Sequence, residues 1–336
     1  MPRSIKGEVA YGYVQKYPKL PSLTLAKKIA AENTSLFKNA EEARGFVRSY
    51  RGLKGEDHRK MVKENDYFVP SGTHKHNPFS IPDSWAEEKE YFKLPVLCNK
   101  VGFMSDMQAP FHDIDAVTAA IKHLKQRDVN TIFLNGDIVD FYGLSFFIRD
   151  PRKRNFKHER QEVLKMLMRI REAFPTQTIY YNLDANHEYR YERYMMVKAP
   201  ELLDLEMFQI EELLCFDELK IKPIRNKYLI EIGRLPVIHG DTIFKGITSP
   251  ACPARTIYMK LNHSGIASHC HRTSNYVDMD VYDKVIGCWT VGCLMSNNVK
   301  YHKHGNRYNH GFAVIETNND GDYHVDNYII SNGKVL

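Results

Sequence analysis

The sequence predicts an α/β protein in which a layered domain of strands and helices follows a small helical domain. From residue 95 onward, apolar strand-like segments alternate with amphipathic helical segments, and strand-rich sequence closes the chain. Such alternation predicts helices packed on a sheet, with a site at the carboxyl ends of the strands. We therefore expect a basic helical domain at 1–63, a linker or extended arm at 64–94 and the main domain at 95–336.

Residues 22–50 are predicted to form two helices joined by a turn. Ser22 is expected to cap the first helix and Asn39 the second, with Glu42 at the capping-box position of the second. Three basic side chains lie along the second helix and at its exit, namely Arg44, Arg48 and Arg51. A helix-turn-helix whose second helix is basic can enter the major groove of DNA. A helical pair without any nucleic-acid role is the alternative.

Positive charge is concentrated at the N-terminus. Residues 1–63 contain 14 Lys and Arg against 6 Asp and Glu, whereas the remaining 273 residues contain 33 and 35. The formal net charge of +6 therefore belongs to the helical domain. A local excess of this kind favours a polyanion as partner, most often nucleic acid, with DNA as the first choice. A solvated basic surface explains the same excess without any partner.

No feature of the sequence indicates a membrane or a secreted protein. It has no run of 18 apolar residues and no apolar core of a signal peptide near its N-terminus. The six cysteines are scattered without a C-x-x-C pair, as is usual for reduced thiols. We expect a cytoplasmic protein without a membrane partner.

The main domain alternates predicted strands and helices before it ends in strands. Strands are predicted at 96–105, 130–137, 177–185, 227–241 (a strand, a turn and a second strand), 265–271, 284–294 and 311–330. Helices are predicted at 113–128, 158–174 and 186–202.

Polar side chains with metal-binding chemistry follow five of these predicted strands. In chain order they are Asp106 and Gln108; Asp137 and Asp140; Asn186 and His187; His239; His269 and His271. A strand-end Asp often caps the next helix, and a single His is usually a hydrogen-bonded core or surface residue. Five such clusters at strand ends are poorly explained in that way. Imidazole nitrogens combined with oxygen ligands suit Mn²⁺, Fe or Zn²⁺, so the set points to a metal site.

The ordered set resembles the calcineurin-like metallophosphoesterases, whose pattern is D-x-H, G-D-x-x-D, G-N-H-D/E, a lone H and G-H-x-H. The match covers about residues 98–275 and is most similar to phosphoesterases of phage and prophage genomes, which share an extension that reads here "NHEYRYERY". The resemblance implies a β-sandwich flanked by helices, in a bacterial or phage-infected cell. It also implies two divalent ions, most naturally Mn²⁺, with Fe or Zn²⁺ as alternatives.

The resemblance also implies a role for each residue of the set. One ion would be held by Asp106, Gln108, Asp137 and His271, and the other by Asp137, Asn186, His239 and His269. Such a pair clamps a phosphate and lowers the pKa of a bridging water for attack on phosphorus. His187 would act as general acid, and Asp140 would fix its tautomer. Glu188 and Asp241 are candidates for orienting the ligand imidazoles.

Three positions depart from the family pattern. Gln108 replaces the usual histidine and offers a neutral amide oxygen, which favours Mn²⁺ over Zn²⁺ or a weakly held ion. Ala185 replaces the usual glycine before Asn-His. Phe141 stands where Ser/Thr protein phosphatases have an arginine, which counts against that activity. His112 or Asp113 could substitute for a missing ligand, although Asp113 is better explained as the cap of the following helix.

The expected reaction is hydrolysis of a phosphodiester, with nucleic acid as the leading substrate class. The basic N-terminus supports this, and so does a basic segment after Asp140, with Arg149, Arg152, Lys153 and Arg154, that could contact a phosphodiester backbone. Within enzymes, the alternative is a phosphoesterase for small molecules or cyclic nucleotides. Outside catalysis, the alternatives are a silent scaffold that retains the fold and a DNA-binding regulator.

Overall fold

The computed structural model describes residues 4–51, 81–82, 84–86, 88–146, 155–244, 251–297 and 307–336. The chain separates into two compact units, Met1–Glu87 and Glu88–Leu336, each with its own internal contacts.

The first unit contains three helices in its described part. They are α1 (Ile5–Lys16), α2 (Ser22–Glu32) and α3 (Ala40–Tyr50). The two helices expected in 22–50 are present, and α1 was not anticipated. Its sequence contains two glycines and two tyrosines, and its apolar residues show only a weak helical periodicity. The three helices share one core, to which Val14, Ile29 and Val47 contribute.

The caps of these helices differ in part from expectation. Asn39 caps α3, because its side-chain oxygen accepts a hydrogen bond from the backbone N–H of Glu42 at 2.9 Å. Ser22 does not cap α2: the helix begins at Ser22 itself, after Pro21. The Glu42 carboxylate accepts a hydrogen bond from the backbone N–H of Lys38 at 2.8 Å, one residue before the position that a capping box requires.

The second unit is mixed α/β and contains two mixed sheets. The first sheet has the strand order β1-β6-β7-β8-β10-β9, with β1 (Tyr91–Lys93), β6 (Leu229–Ile232), β7 (Leu235–Ile238), β8 (Gly265–Ala267), β9 (Ser274–Met279) and β10 (Val285–Thr290). The second has the order β13-β12-β11-β2-β3-β4-β5, with β2 (Lys100–Met104), β3 (Thr131–Leu134), β4 (Thr178–Asn182), β5 (Ile221–Ile224), β11 (His310–Thr317), β12 (Tyr323–Ser331) and β13 (Lys334–Val335).

Strand β1 lies inside the segment expected to be a linker. It pairs in parallel with β6, so that Tyr91 is opposite Leu229 and Lys93 opposite Glu231. The end of the predicted linker therefore belongs to the sheet of the second unit. The strands predicted from periodicity are otherwise present, and the segment 227–241 forms the expected pair of antiparallel strands.

The two sheets pack face to face. Their shared apolar layer contains Phe103 and Phe133 from the second sheet and Ile232, Val237 and Ile266 from the first. The rings of Phe103 and Phe133 stack with centroids 5.6 Å apart. The alternating apolar positions of β2 and β3 supply this layer, as expected for strands buried on both faces.

Helices cover the outer faces of both sheets. One core joins the second sheet to α4 (Ile114–Gln126), α5 (Phe156–Ala173), α6 (Glu188–Lys198), α7 (Ile210–Leu213) and α8 (Phe216–Leu219). A separate cluster joins the first sheet to α9 (Pro253–Leu261). Across the described ranges, no helix has both the length and the apolar character needed to cross a membrane.

Strands β2, β3, β4 and β5 run parallel, so their carboxyl ends meet at one edge of the second sheet. The loops that leave this edge carry most of the polar residues singled out from the sequence. The loops after β7 and β8 of the first sheet carry the rest.

Candidate metal centre

The loops after β2 and β3 are joined by backbone hydrogen bonds, which bring their acidic residues together. The N–H of Gln108 donates to the carbonyl of Asp137 at 2.9 Å, and the N–H of Ala109 donates to Ile138 at 2.8 Å. The N–H of Asp140 donates to the carbonyl of Ala109 at 3.0 Å. Residues separated by about one βα unit therefore lie side by side at the edge of the sheet.

Many residues of the centre have left-handed backbone conformations. The positive φ angles are 51° at Asp106, 45° at Gln108, 51° at Asp137, 65° at His269 and 55° at His271. For a residue with a side chain this region costs about 1–2 kcal/mol. Strain of this kind concentrates at functional sites, where the surrounding structure holds the residue in place.

The site contains two groups of possible metal ligands that share one carboxylate. Asp137, His239 and His269 form one group, and Asp106, Asp137 and His271 form the other; within each, the ligand atoms lie within 4.8 Å of one another. Asp137 Oδ1 lies 3.3 Å from His239 Nε2, and Asp106 Oδ1 lies 3.1 Å from His271 Nε2. The sequence predicted both groups, with Asp137 common to them.

The acidic and imidazole groups are strongly coupled by their charges. Burial alone would raise the pKa of Asp137, but His187 and His239 hold that pKa well below its usual range. Burial would lower the pKa of His239, yet the carboxylates of Asp137 and Asp106 raise it to about 10. The buried carboxylates of this centre thus require nearby positive charge, which imidazolium or a cation can supply.

The donor set fits a divalent cation. Two carboxylates and three imidazoles converge there, and Asn186 Oδ1 adds an amide oxygen 3.2 Å from His239 Nε2. Among the described residues, the buried atoms Asp137 Oδ2 and His269 Nδ1 have no hydrogen-bond partner. Buried polar atoms are normally satisfied, and an ion bound inside this cluster of side chains would satisfy these two atoms. The mixture of nitrogen and oxygen donors suits Mn²⁺, Fe or Zn²⁺.

Gln108 reaches the centre but presents its amide nitrogen to it. Gln108 Nε2 lies 3.4 Å from His187 Nε2 and 3.5 Å from His271 Nε2, and the side chain is buried. A half-turn of the amide group would bring the oxygen to the same position. Gln108 therefore lies beside His187 and His271, with its amide oxygen turned away from both rings.

His187 lies beside the shared carboxylate and against Asp140. Its backbone N–H donates to Asp137 Oδ1 at 3.0 Å, and its ring Nδ1 lies 3.2 Å from Asp140 Oδ1. Burial would lower the pKa of His187, but the carboxylates of Asp137 and Asp140 raise it above the ordinary value. The pairing of His187 with Asp140 matches the arrangement expected from the sequence.

Arg190 is a residue of the centre that the sequence reasoning did not single out. Its guanidinium donates to the Asp140 carbonyl at 2.6 Å and to His187 Nε2 at 3.0 Å. Arginine is always a donor, so Nε2 accepts this bond and the imidazole proton lies on Nδ1, facing Asp140. The signal was available: Arg190 follows His187 by three residues at the start of a helix, which places both side chains on one face.

One further side chain and one backbone carbonyl orient the site from behind. The Glu188 carboxylate accepts hydrogen bonds from the backbone N–H groups of Asp137 at 2.9 Å and Ile138 at 3.0 Å. Glu188 thus accepts hydrogen bonds from the backbone of the β3 loop, and among the described residues no imidazole donates one to it. The carbonyl of Asn135 takes that place for His239, at 2.8 Å from its Nδ1.

Asp113 and the basic residues expected to contact nucleic acid do not belong to the described metal centre. Asp113 caps α4, because its carboxylate accepts the N–H of Ala116 at 2.9 Å. Arg48 is exposed, and Arg44 pairs with Glu41 at 3.0 Å. The guanidinium of Arg51 donates to the Ser22 hydroxyl at 3.0 Å and to two carbonyls of the loop between α1 and α2, at Tyr17 and Pro18, both at 3.2 Å. Arg149, Arg152, Lys153 and Arg154 lie outside the described residues.

Comparison of the sequence with protein-family models finds no match, and no curated protein matches it either.

Proposed function

We propose that this protein is a metal-dependent phosphoesterase that hydrolyses phosphodiester bonds, with nucleic acid as its substrate class. One observation carries the proposal: two groups of ligand side chains share the carboxylate of Asp137. A carboxylate common to two adjacent ion sites is the arrangement that a pair of divalent cations needs. It supports assignment to the calcineurin-like metallophosphoesterases, whose motifs the sequence resembles.

The ligands divide between two ions as the motifs imply. Asp106, Gln108 after a half-turn of its amide, Asp137 and His271 would hold one, and Asp137, Asn186, His239 and His269 would hold the other, with Mn²⁺ as the expected metal. When bound, such a pair neutralises the charge of a phosphate and makes a water molecule nucleophilic at neutral pH. Without the ions, the buried carboxylates would repel a phosphate.

His187 supplies the proton for the leaving oxygen. Asp140 holds the Nδ1 proton, so Nε2 is the atom that faces the site and carries the transferred proton. In the structure Nε2 accepts a hydrogen bond from Arg190. A substrate phosphate would attract the Arg190 guanidinium, and its departure from Nε2 leaves that atom to be protonated. Burial lowers the pKa of His187, but the carboxylates of Asp137 and Asp140 raise that pKa above its ordinary value, which favours the protonated imidazole.

The choice of nucleic acid rests on charge. The N-terminal 63 residues carry the positive excess of the chain, and Arg48 is exposed on α3. A basic helical unit linked to a phosphodiesterase would increase the local concentration of a polyanionic substrate. The same reasoning favours phosphodiesters over small phosphomonoesters.

The test is hydrolysis of bis-p-nitrophenyl phosphate and of the dinucleotide TpT by the Mn²⁺-loaded full-length protein. Asp137→Asn should abolish both reactions and reduce the amount of bound Mn²⁺. Asp115 is an exposed aspartate on α4, and Asp115→Asn should leave both reactions and the bound Mn²⁺ unchanged. His187→Ala should cost about 10²–10⁴-fold with TpT, since general acids contribute that much. The loss should be smaller with the nitrophenyl ester, because nitrophenolate departs without a proton.

His158→Ala, an exposed histidine on α5, is the matched control for His187 and should retain activity. Mn²⁺-loaded protein that hydrolyses no phosphodiester and no phosphomonoester would contradict the proposal and favour a silent scaffold. Hydrolysis of monoesters or cyclic nucleotides in place of TpT would keep the reaction class and overturn the nucleic-acid assignment.

A further inference from the structure

A cleft of about 560 Å³ opens directly beside the metal centre. Asn186 and His269 of the centre form one end of it, and Arg190 lines it as well. Its volume is within the range of clefts that bind small molecules. Arg190 also donates a hydrogen bond to His187 Nε2, so one residue of the cleft wall contacts the expected proton donor.

The charges along the cleft are suited to a phosphate at one end. Arg190 and Arg193 are one helical turn apart on α6, and both line the cleft. Asp241 lines it too, and its carboxylate can accept a hydrogen bond from a sugar hydroxyl or a base amino group. A complementary ligand has an anionic end next to Arg190 and hydrogen-bond donors near the Asp241 carboxylate.

The remaining walls of the cleft combine Leu144 with three aromatic side chains. Tyr189 and Phe146 line it with exposed fractions of 49% and 66%, and Phe244 lines it from a buried position. Phe244 packs against Gly240, where an added Cβ would lie 2.9 Å from the ring, so Phe244 is held next to the His239 loop. The Arg193 guanidinium lies 3.8 Å from the centre of the Phe146 ring. Among the described residues, Tyr189 thus adds a half-exposed aromatic ring to the wall of the cleft, next to Arg190 in the chain.

We propose that this cleft binds one nucleoside unit next to the scissile phosphate, with the base against Tyr189 and the phosphate between Arg190 and the metal centre. This inference rests on the proposed function for the position of the phosphate. Every base has a flat aromatic face, so stacking on tyrosine binds nucleotides without selecting a sequence. The cleft would therefore bind nucleotides of any base, and it would favour them over phosphate esters that carry no base.

The first arm of the test measures binding. Titration calorimetry compares thymidine 5′-monophosphate with inorganic phosphate on the Mn²⁺-loaded full-length protein, in a His187→Ala background that slows turnover. The nucleotide should bind more tightly than phosphate, and Tyr189→Ala should reduce this advantage about tenfold, as expected for loss of one stacked base. Tyr194→Ala is the matched control, because Tyr194 is on the same helix and does not line the cleft.

The second arm measures turnover as a ratio. In Tyr189→Ala, kcat/KM for TpT relative to that for its abasic analogue, the same sugar-phosphate diester without bases, should fall about tenfold, because only TpT carries a base to stack. Tyr189→Phe should restore the ratio, since stacking needs the ring and not the hydroxyl. Tyr194→Ala should keep the ratio of the unaltered protein.

Equal affinity for thymidine 5′-monophosphate and phosphate would overturn the inference, as would identical behaviour of Tyr189→Ala and Tyr194→Ala. Failure of the proposed function looks different: the unaltered protein would then hydrolyse neither diester. The calorimetric arm still decides the inference in that case, because it requires binding without turnover.

Discussion

The carboxylate of Glu188 holds the backbone of Asp137 from behind, through a 2.9 Å hydrogen bond from the Asp137 N–H. The other Glu188 oxygen accepts the N–H of Ile138 at 3.0 Å and the hydroxyl of Tyr181 at 2.6 Å. All three donors are buried. Asp137 has a φ of 51°, so these bonds stabilise a strained residue at the point shared by both groups of ligands.

Replacement of Glu188 should therefore damage both stability and metal binding. Glu188→Ala leaves two buried N–H groups and a hydroxyl without their acceptor, and each costs about 1–3 kcal/mol. We expect the free energy of unfolding in urea to fall by at least about 3 kcal/mol, and the Mn²⁺ affinity to fall about 10–100-fold, as for other groups behind metal ligands.

Tyr181→Phe is the milder companion, because it removes one donor and leaves both bonds to the loop. The free energy of unfolding of Tyr181→Phe should fall by about 1 kcal/mol, the net contribution of a single hydrogen bond. If Glu188→Ala binds Mn²⁺ as tightly as the unaltered protein, the carboxylate does not position Asp137.

Gly136 and Ala185 should show a strong energetic coupling. A Cβ built on Gly136 would lie 2.2 Å from the Ala185 Cβ, and Gly136 has a φ of 81°. Gly136→Ala should therefore lower the free energy of unfolding by about 3 kcal/mol, from overpacking and from the left-handed backbone. In the double variant with Ala185→Gly the clash between the two Cβ atoms disappears, and the backbone cost should remain together with the tighter contacts to His239 Nδ1 at 3.2 Å and the Asn182 carbonyl at 3.3 Å.

A double-mutant cycle in urea measures this coupling. Gly12→Ala on α1 serves as the control, because nothing lies within 4 Å of a Cβ at that position. It should stabilise the helix by about 0.5–1 kcal/mol, the usual gain for Ala over Gly in a helix. Additive effects at Gly136 and Ala185 would show that the two residues do not meet.

The candidate ligands could be located from sequence because each follows a strand within a few residues. Asp106 comes two residues after β2 and His239 one residue after β7, so the end of a strand locates the side chain. The resemblance to a known pattern then supplied the grouping around Asp137. Local periodicity carries this information because the strands are short, apolar and buried.

Other features depend on contacts between distant parts of the chain. Strand β1 has three residues and exists because Tyr91 pairs with Leu229, which no local pattern indicates. The roles of Arg190 and Glu188 depend on how the start of α6 meets the β3 loop. Helical spacing places Arg190 on the face of His187, but only the packed structure shows that both reach Asp140.

Glu159 should make stability depend on pH in the metal-free protein. Burial and the charge of Asp140 raise the pKa of Glu159 from 4.5 to about 7. Between these values the folded protein keeps a proton that the unfolded chain releases, so the free energy of unfolding falls as pH rises from about 4.5 to about 7. Glu159→Gln should remove about 2 kcal/mol of that fall.

The measurement is urea unfolding in EDTA at pH 5 and pH 7.5, with the difference taken between variant and unaltered protein. Glu172→Gln, a change at the far end of α5 where the carboxylate pairs with Arg169, is the control and should leave the pH dependence as it is. Parallel pH curves for Glu159→Gln and the unaltered protein would contradict the raised pKa.

Arg51 and Arg48 should separate stability of the helical unit from DNA binding. Arg51 ties the end of α3 to Ser22, Tyr17 and Pro18, so Arg51→Ala should destabilise residues 4–51 by about 2 kcal/mol, since hydrogen bonds from charged donors contribute about that much. Hydrogen exchange of peptides from this range measures the loss.

Arg48→Ala should leave hydrogen exchange unchanged. It should reduce the steepness of the plot of log affinity for duplex DNA against log salt concentration by about 0.9, the value for one lost phosphate contact. An unchanged slope in Arg48→Ala would remove α3 as a DNA-contacting helix while leaving the structural role of Arg51 intact.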